Sequence, residues 1–173
     1  NVDAQILYSR LLARSGRLPE ARKEIDKVVA LGPEVLAARW PYVCEISGLI
    51  FLEMDDNEAA RGELEKAILA LPKSVSARHN LAMALGRMGA LDDAIAEELT
   101  AHKLAPENKA VLYHLGVLYD LDARPKLAIE TYQKFLKLAG DDPEAEGLRE
   151  HVAELQAQLA GKPGQPIPKA PKR

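Results

Sequence analysis

The sequence predicts an all-α repeat fold of antiparallel helix pairs, on three observations. Alanine and leucine dominate a composition that is 47% hydrophobic and only 5% aromatic, and β-branched residues never gather into runs alternating with period two, so the propensities favour helix over strand. A phrase that opens on alanine and closes on proline recurs at Ala21 to Pro33, Ala60 to Pro72 and Ala94 to Pro106, and opens again at Ala128, with alanine spacings of 39, 34 and 34. A fixed period in this range marks stacked supersecondary units. Upstream of each later alanine, a small residue precedes a large apolar one by three positions, as Gly48 with Phe51, Ala82 with Leu85 and Gly116 with Tyr119, again every 34 residues. On a helix such a pair shares one face, where the small residue admits a neighbouring helix and the large one fills the adjoining gap.

Each element follows from its breakers. The first helix is expected at 2–15, with Ser9 and Leu12 in the small and large places, and the second at 18–31, opened by Pro19, where a first-turn proline costs no hydrogen bond. Residues 34–40 break the period by five positions and hold the one tryptophan; Val35, Leu36 and Trp40 are expected to fill a widened junction in preference to forming a recognition knob. Helices then follow at 41–54 (opened by Pro41), 57–70, 75–88, 91–104, 109–122 and 125–138 (opened by Pro125). After Asp141-Asp142-Pro143 a ninth helix should run to about Leu159, its stripe of Leu148, Val152, Leu155 and Leu159 covering the flank that a last repeat otherwise exposes. Residues 161–173 contain Pro163, Pro166, Pro168 and Pro171 and predict an extended basic tail. The domain reading is therefore repeats at about 2–33, 41–74, 75–108 and 109–142, a capping helix at 143–160, and the tail.

Leu115-Gly116-x-x-Tyr119 followed by Ala128-x-x-x-Tyr132 resembles the signature of the tetratricopeptide repeat (TPR) family, over about residues 2 to 140. The tryptophan that opens the family motif is replaced by Cys44, Arg78 and Leu112. The resemblance implies a right-handed superhelical solenoid whose first helices line a concave, partner-binding face. Positions spaced i, i+3, i+7 and i+10 on those helices give three inward quartets: Tyr42, Glu45, Leu49, Leu52; Ser76, His79, Met83, Gly86; and Ala110, Tyr113, Val117, Asp120. Asn80 and Arg87 sit alongside to hydrogen-bond a peptide backbone or carboxylate. The lysine, asparagine and arginine set with which one TPR subclass grips chaperone C-termini is missing, since Glu45, Leu49, Ala110 and His114 stand in those places and Asn80 alone agrees. The expected role is a protein-interaction scaffold for a partner segment or helix held by aromatic and aliphatic side chains. The alternatives are a regulatory or accessory helical domain of a larger enzyme or complex, and self-association as a homo-oligomer.

Other chemistries find little support. A net charge of −3, with acids and bases interspersed, offers no footprint for nucleic acid. The longest apolar stretch, Ile46 to Leu52, is too short to span a membrane, so no membrane insertion is expected. Cys44 is the single cysteine, which excludes an intrachain disulfide and suits either a cytoplasmic or a periplasmic compartment. The chain begins at Asn1 without methionine, which suggests a piece of something longer. His79 and His114 lie near equivalent places but without a carboxylate at ligand spacing, and Glu98 with His102 reads as a solvated helical pair. The aspartate pairs 55–56, 92–93 and 141–142 read as helix starts and turns. With no phosphate loop or paired CxxC, no catalytic residue, metal site or cofactor is predicted.

Overall fold

The computed structural model describes residues 1–140 and 142–161; Asp141 and the predicted tail beyond Gly161 lie outside the described residues. Ten α-helices occur among these residues, and no strand: α1 (Val2–Arg14), α2 (Leu18–Val29), α3 (Gly32–Leu36), α4 (Trp40–Glu53), α5 (Asn57–Ala70), α6 (Val75–Arg87), α7 (Leu91–Leu104), α8 (Lys109–Leu121), α9 (Pro125–Ala139) and α10 (Glu146–Gly161). Nine of them stand within a few residues of the expected spans. The tenth, α3, is the period-breaking segment, which forms a short helix opened by Pro33 and then a 3-10 turn, Ala37–Arg39, running into α4. The sequence reading assigned no helix to that stretch and expected Val35, Leu36 and Trp40 to fill a widened junction. It was half right in packing, since Leu36 is buried and Trp40 partly so, whereas Val35 is exposed.

The chain divides into two compact units, Asn1–Ala101 and His102 onward. In the first, α1 and α2, and then α4 and α5, pack as adjacent pairs, with α2 also against α4 and α5 against α6. Its core gathers Ile6 and Leu12 of α1, Ala21, Ile25 and Val28 of α2, Leu36, and Val43, Ile46 and Ile50 of α4. A second cluster joins Cys44, Ala67 and Ala77, and Trp40 packs against both. Cys44 is fully buried, which pushes its thiol up to about 12, the neighbouring Glu63 carboxylate adding to the effect, so it is an inert packing residue. In the second unit α8 pairs with α9, and α10 packs against α9.

The small residues do what their spacing predicts. A Cβ added at Gly48 would lie 2.5 Å from Leu64 Cγ and 3.3 Å from the Ala60 carbonyl oxygen on α5, and one added at Gly116 would collide with the Tyr132 ring on α9. Ala82 is completely buried. The run Gly32–Glu53 spans 22 residues, longer than the apolar stretch read from the sequence, and an 18-residue window within it has a mean hydropathy of 1.4, yet half of that window is buried. In α4, Val43, Cys44, Ile46, Ser47, Gly48, Ile50, Phe51 and Leu52 are buried inside the unit, so α4 is a core helix of this fold.

Each pair turns through the same cap. Gly16, Asp55, Gly89 and Ala123 have φ of +76°, +60°, +81° and +55°, and the residue after each donates its N–H back five positions, to the carbonyls of Leu12, Phe51, Leu85 and Tyr119. This is the Schellman motif, whose left-handed residue is ordinarily glycine. Asp55 and Ala123 adopt it with a Cβ, at a strain of about 1 kcal/mol. Asp55→Gly and Ala123→Gly should each raise stability by about 0.5–1 kcal/mol, measured by urea unfolding; a loss at both sites would contradict the strain.

Candidate functional site

In the first unit the candidate face is built from the open sides of α1, α4 and α6. A helix packed on three sides keeps only a narrow arc free. On α4 that arc holds Tyr42, exposed, and Glu45 and Leu49, half-buried. Leu52 is only 1% exposed, and its assignment to the face is corrected. The physical reason is rotation: at 100° per residue, the i+10 position stands roughly 80° from position i, beyond the edge of the open arc.

Between α1 and α4 lies a cleft of about 290 Å³, lined by Arg10, Ala13 and Arg14 on one side and Ile46, Leu49, Ile50 and Glu53 on the other. Leu49 is the one residue there that the sequence reading named. Arg10 Nη1 donates to Tyr42 Oη at 3.1 Å, so the tyrosine and a guanidinium stand together at the cleft. Arg10 and Arg14 were missed because the first repeat is the weakest match to the period, and α1 was left without a quartet.

Several predicted ligands are already engaged. Glu45 accepts hydrogen bonds from Ser74 Oγ at 3.0 Å and Ser76 Oγ at 2.6 Å, tying α4 to the start of α6, where Ser74 also caps the helix through the Ala77 N–H. Arg87 Nη1 donates to the Leu52 carbonyl at 2.7 Å. His79 Nδ1 lies 2.7 Å from Glu98 Oε1, and Glu98 is 0% exposed. The solvated-pair reading of Glu98 is thereby overturned: the carboxylate points into the α6–α7 packing, and the expectation that no carboxylate stands beside His79 fails with it. Asn80, Met83 and Gly86 are half-buried and Ser76 is exposed. Arg78, which stands where the family has tryptophan, donates to Glu97 at 2.5 Å and to the Pro72 carbonyl at 2.9 Å.

A second hollow, of about 480 Å³, is lined by α5, α6 and α7, with Ile68 and Leu69 of α5 and Leu81 and Leu85 of α6 at its apolar surface and Arg61, Glu65, Asp93 and Glu97 around them. Arg61 Nε and Glu65 Oε1 pair across one helical turn at 2.8 Å.

In the second unit the candidate residues are on α8. Ala110 and Tyr113 are exposed and Val117 is half-buried. The Tyr113 ring leans on Phe135 and Tyr132, with centroids 5.6 Å and 6.3 Å away. Asp120 is engaged by His151 of α10, whose Nε2 lies 2.6 Å from Oδ2. The His151 ring also meets Tyr132 edge-on at 6.0 Å, and burial, with the Asp120 carboxylate adding to it, raises the Tyr132 phenol above its ordinary range.

Comparison with known proteins agrees with this architecture. No curated protein matches the chain. Among solved structures, MamA (residues 41 to the end) from Desulfovibrio magneticus RS-1 superposes with a TM-score of 0.71 at 22% identity, covering 83% of this chain and 78% of that one. A tetratricopeptide repeat protein from Parabacteroides merdae gives a TM-score of 0.75 at 17% identity, over 92% of this chain and 61% of the other. The first TPR of Spaghetti (RPAP3), bound to the HSP90 peptide SRMEEVD, gives 0.65 at 18% identity, over 71% and 95%. At these identities the likeness is one of fold. The sequence itself matches tetratricopeptide repeat profiles over residues 47–108 and again over 110–142. With its glycine contacts, its recurring turns and these two matches, the chain belongs to the tetratricopeptide repeat family.

Proposed function

We propose that the chain is a protein-interaction scaffold that holds an extended segment or helix of a partner protein against its first helices. The observation that carries this reading is the α1–α4 cleft, where an aliphatic floor at Leu49 and Ile50 stands beside Arg10, Arg14 and the Tyr42 hydroxyl. Apolar floor with a few polar groups at the rim is the arrangement that anchors a peptide side chain and its backbone. Met83 and Val117 are half-buried and Tyr113 is exposed on the corresponding helices, and methionine and tyrosine suit adaptable contacts. Peptide binding by the related RPAP3 domain supports the class of function. Glu45, Arg87, His79 and Asp120 are already held by neighbours. Their role is to set the shape of the face, leaving Arg10, Arg14, Tyr42, Leu49, Asn80, Met83, Tyr113 and Val117 as contacts.

The test is a calorimetric titration of the partner recovered by affinity capture against single variants, each checked by circular dichroism. Leu49→Ala and Tyr113→Ala should each weaken binding by about 1–3 kcal/mol. The second should also lower stability by about 0.5–1.5 kcal/mol through its lost ring contacts. Arg61→Glu on the second-helix side should change binding by about 0–1 kcal/mol. Abolition by Arg61→Glu together with indifference to Leu49→Ala would move the site to the hollow between α5 and α7.

A further inference from the structure

Two successive grooves between second helices of the first unit are built from matching positions and filled differently. In the earlier one, where α2 and α5 both pack on α4, Arg22 lies across the Phe51 ring, its guanidinium carbon 4.2 Å from the ring centroid. Arg22 also meets Asp26 on its own helix at 3.5 Å and Asp56, the N-cap of α5, at 4.0 Å. The repeat spacing carries Arg22 to Arg61, Asp26 to Glu65, Phe51 to Leu85 and Asp56 to Ala90. Arg61 keeps the carboxylate on its own helix, Glu65 at 2.8 Å. The positions that gave Arg22 its ring and its second carboxylate hold Leu85 and Ala90 instead. Arg61 and Leu85 both line the hollow of about 480 Å³, so the later groove is open at the pair that the earlier one closes. Leu81 and Leu85 are buried beneath it, and Leu69, 84% exposed, stands at its edge.

We propose that this hollow receives an aromatic side chain of a partner polypeptide, stacked between Leu85 and the Arg61 guanidinium as Phe51 is stacked beneath Arg22. A cation over a ring face is attracted by the ring quadrupole, and a planar guanidinium already oriented by a carboxylate loses little freedom in making the contact. The α7 side of the rim is acidic, with Asp93 and Glu97, the latter paired with Arg78. The residues flanking the ring in the partner are therefore neutral or basic. Nothing in this sequence outside the described residues supplies the ring, because neither Asp141 nor residues 162–173 include an aromatic. In a solenoid each repeat touches only its neighbours, so further repeats before α1 would stack on that end of the unit and leave the space between α5 and α7 open.

The test is a methyl NMR titration of the full chain with the capped tripeptide Ala-Phe-Ala and with its cyclohexylalanine counterpart. The phenyl peptide should move the Leu69, Leu81 and Leu85 methyl signals upfield by ring current, which the saturated ring cannot do. Arg61→Gln should weaken the phenyl peptide by about two- to fivefold and leave the cyclohexyl peptide unchanged. Leu85→Phe, which supplies the ring of the earlier groove from within, should abolish the titration while circular dichroism is retained. Leu49→Ala should leave it untouched, which separates failure here from failure of the first-helix reading. Absence of saturation by roughly 10 mM, equal affinity of the two peptides, or indifference to Arg61→Gln would overturn the proposal. So would shifts confined to the Leu49 and Met83 methyls. A concentration-dependent dimer that Leu69→Asp abolishes and the peptide does not disperse would assign the hollow to a second copy and overturn it too.

Discussion

Gly116→Leu should destabilise the chain by about 3 kcal/mol or more, lowering its melting temperature by roughly 6–12 °C for a protein of this size. A Cβ at residue 116 would occupy the space of the Tyr132 ring. That ring is buried and held on further sides by His151, edge-on at 6.0 Å, and by Tyr113 at 6.3 Å, so it has no direction in which to retreat. Gly48→Leu should behave alike, because the atom it would meet at 2.5 Å is Leu64 Cγ, a branch point close to the backbone. Gly62 provides the control: it lies inside α5 with nothing within 4 Å of an added Cβ. There, Gly62→Ala should raise stability by about 0.5–1 kcal/mol through helix propensity. If Gly116→Leu melted within error of the parent by circular dichroism, the small residue of the repeat would not be a packing residue at all.

These glycines were legible in the sequence because close approach demands a residue type, and demanding it every 34 positions makes it visible. The turns were legible only in part. Gly16 and Gly89 signal a left-handed cap by themselves, whereas Asp55 and Ala123 adopt the same backbone without a residue that announces it. On the helix faces, periodicity locates an arc but not its edges. Leu49 and Leu52 belong to one quartet by spacing, and the structure separates them because α4 is packed around most of its circumference. Glu98 was unreadable for a different reason. Its partner, His79, is on another helix 19 positions back, and a local i, i+4 neighbour offered a sufficient account of a charged residue. The cleft arginines were hidden by register, since a weak first repeat gave α1 no equivalent of the later quartets.

Removing residues 143–173 should expose the flank of the second unit and drive the chain toward aggregation, the mechanism being loss of the surface that α10 supplies. Ala145, Val152 and Leu155 are buried, and α10 packs along α9. It also brings His151 against the Tyr132 ring and within 2.6 Å of Asp120. Without it, Tyr132 would present an aromatic face to water, and an open apolar flank on a terminal repeat is an aggregation site. Single substitutions divide the effect by face. Leu155→Ala should cost about 2–5 kcal/mol as a buried large-to-small change. Leu159→Ala, although on the same predicted stripe, should cost no more than about 0.5 kcal/mol because Leu159 is exposed. His151→Ala should fall between them, removing a ring contact and a hydrogen bond to a carboxylate, together about 1–3 kcal/mol. Chemical denaturation gives the order, and light scattering reports the state of the truncated chain. A truncated protein that stayed monomeric with an unchanged midpoint, or a Leu159→Ala loss equal to that of Leu155→Ala, would show that α10 is an appendage and that the last repeat closes on itself.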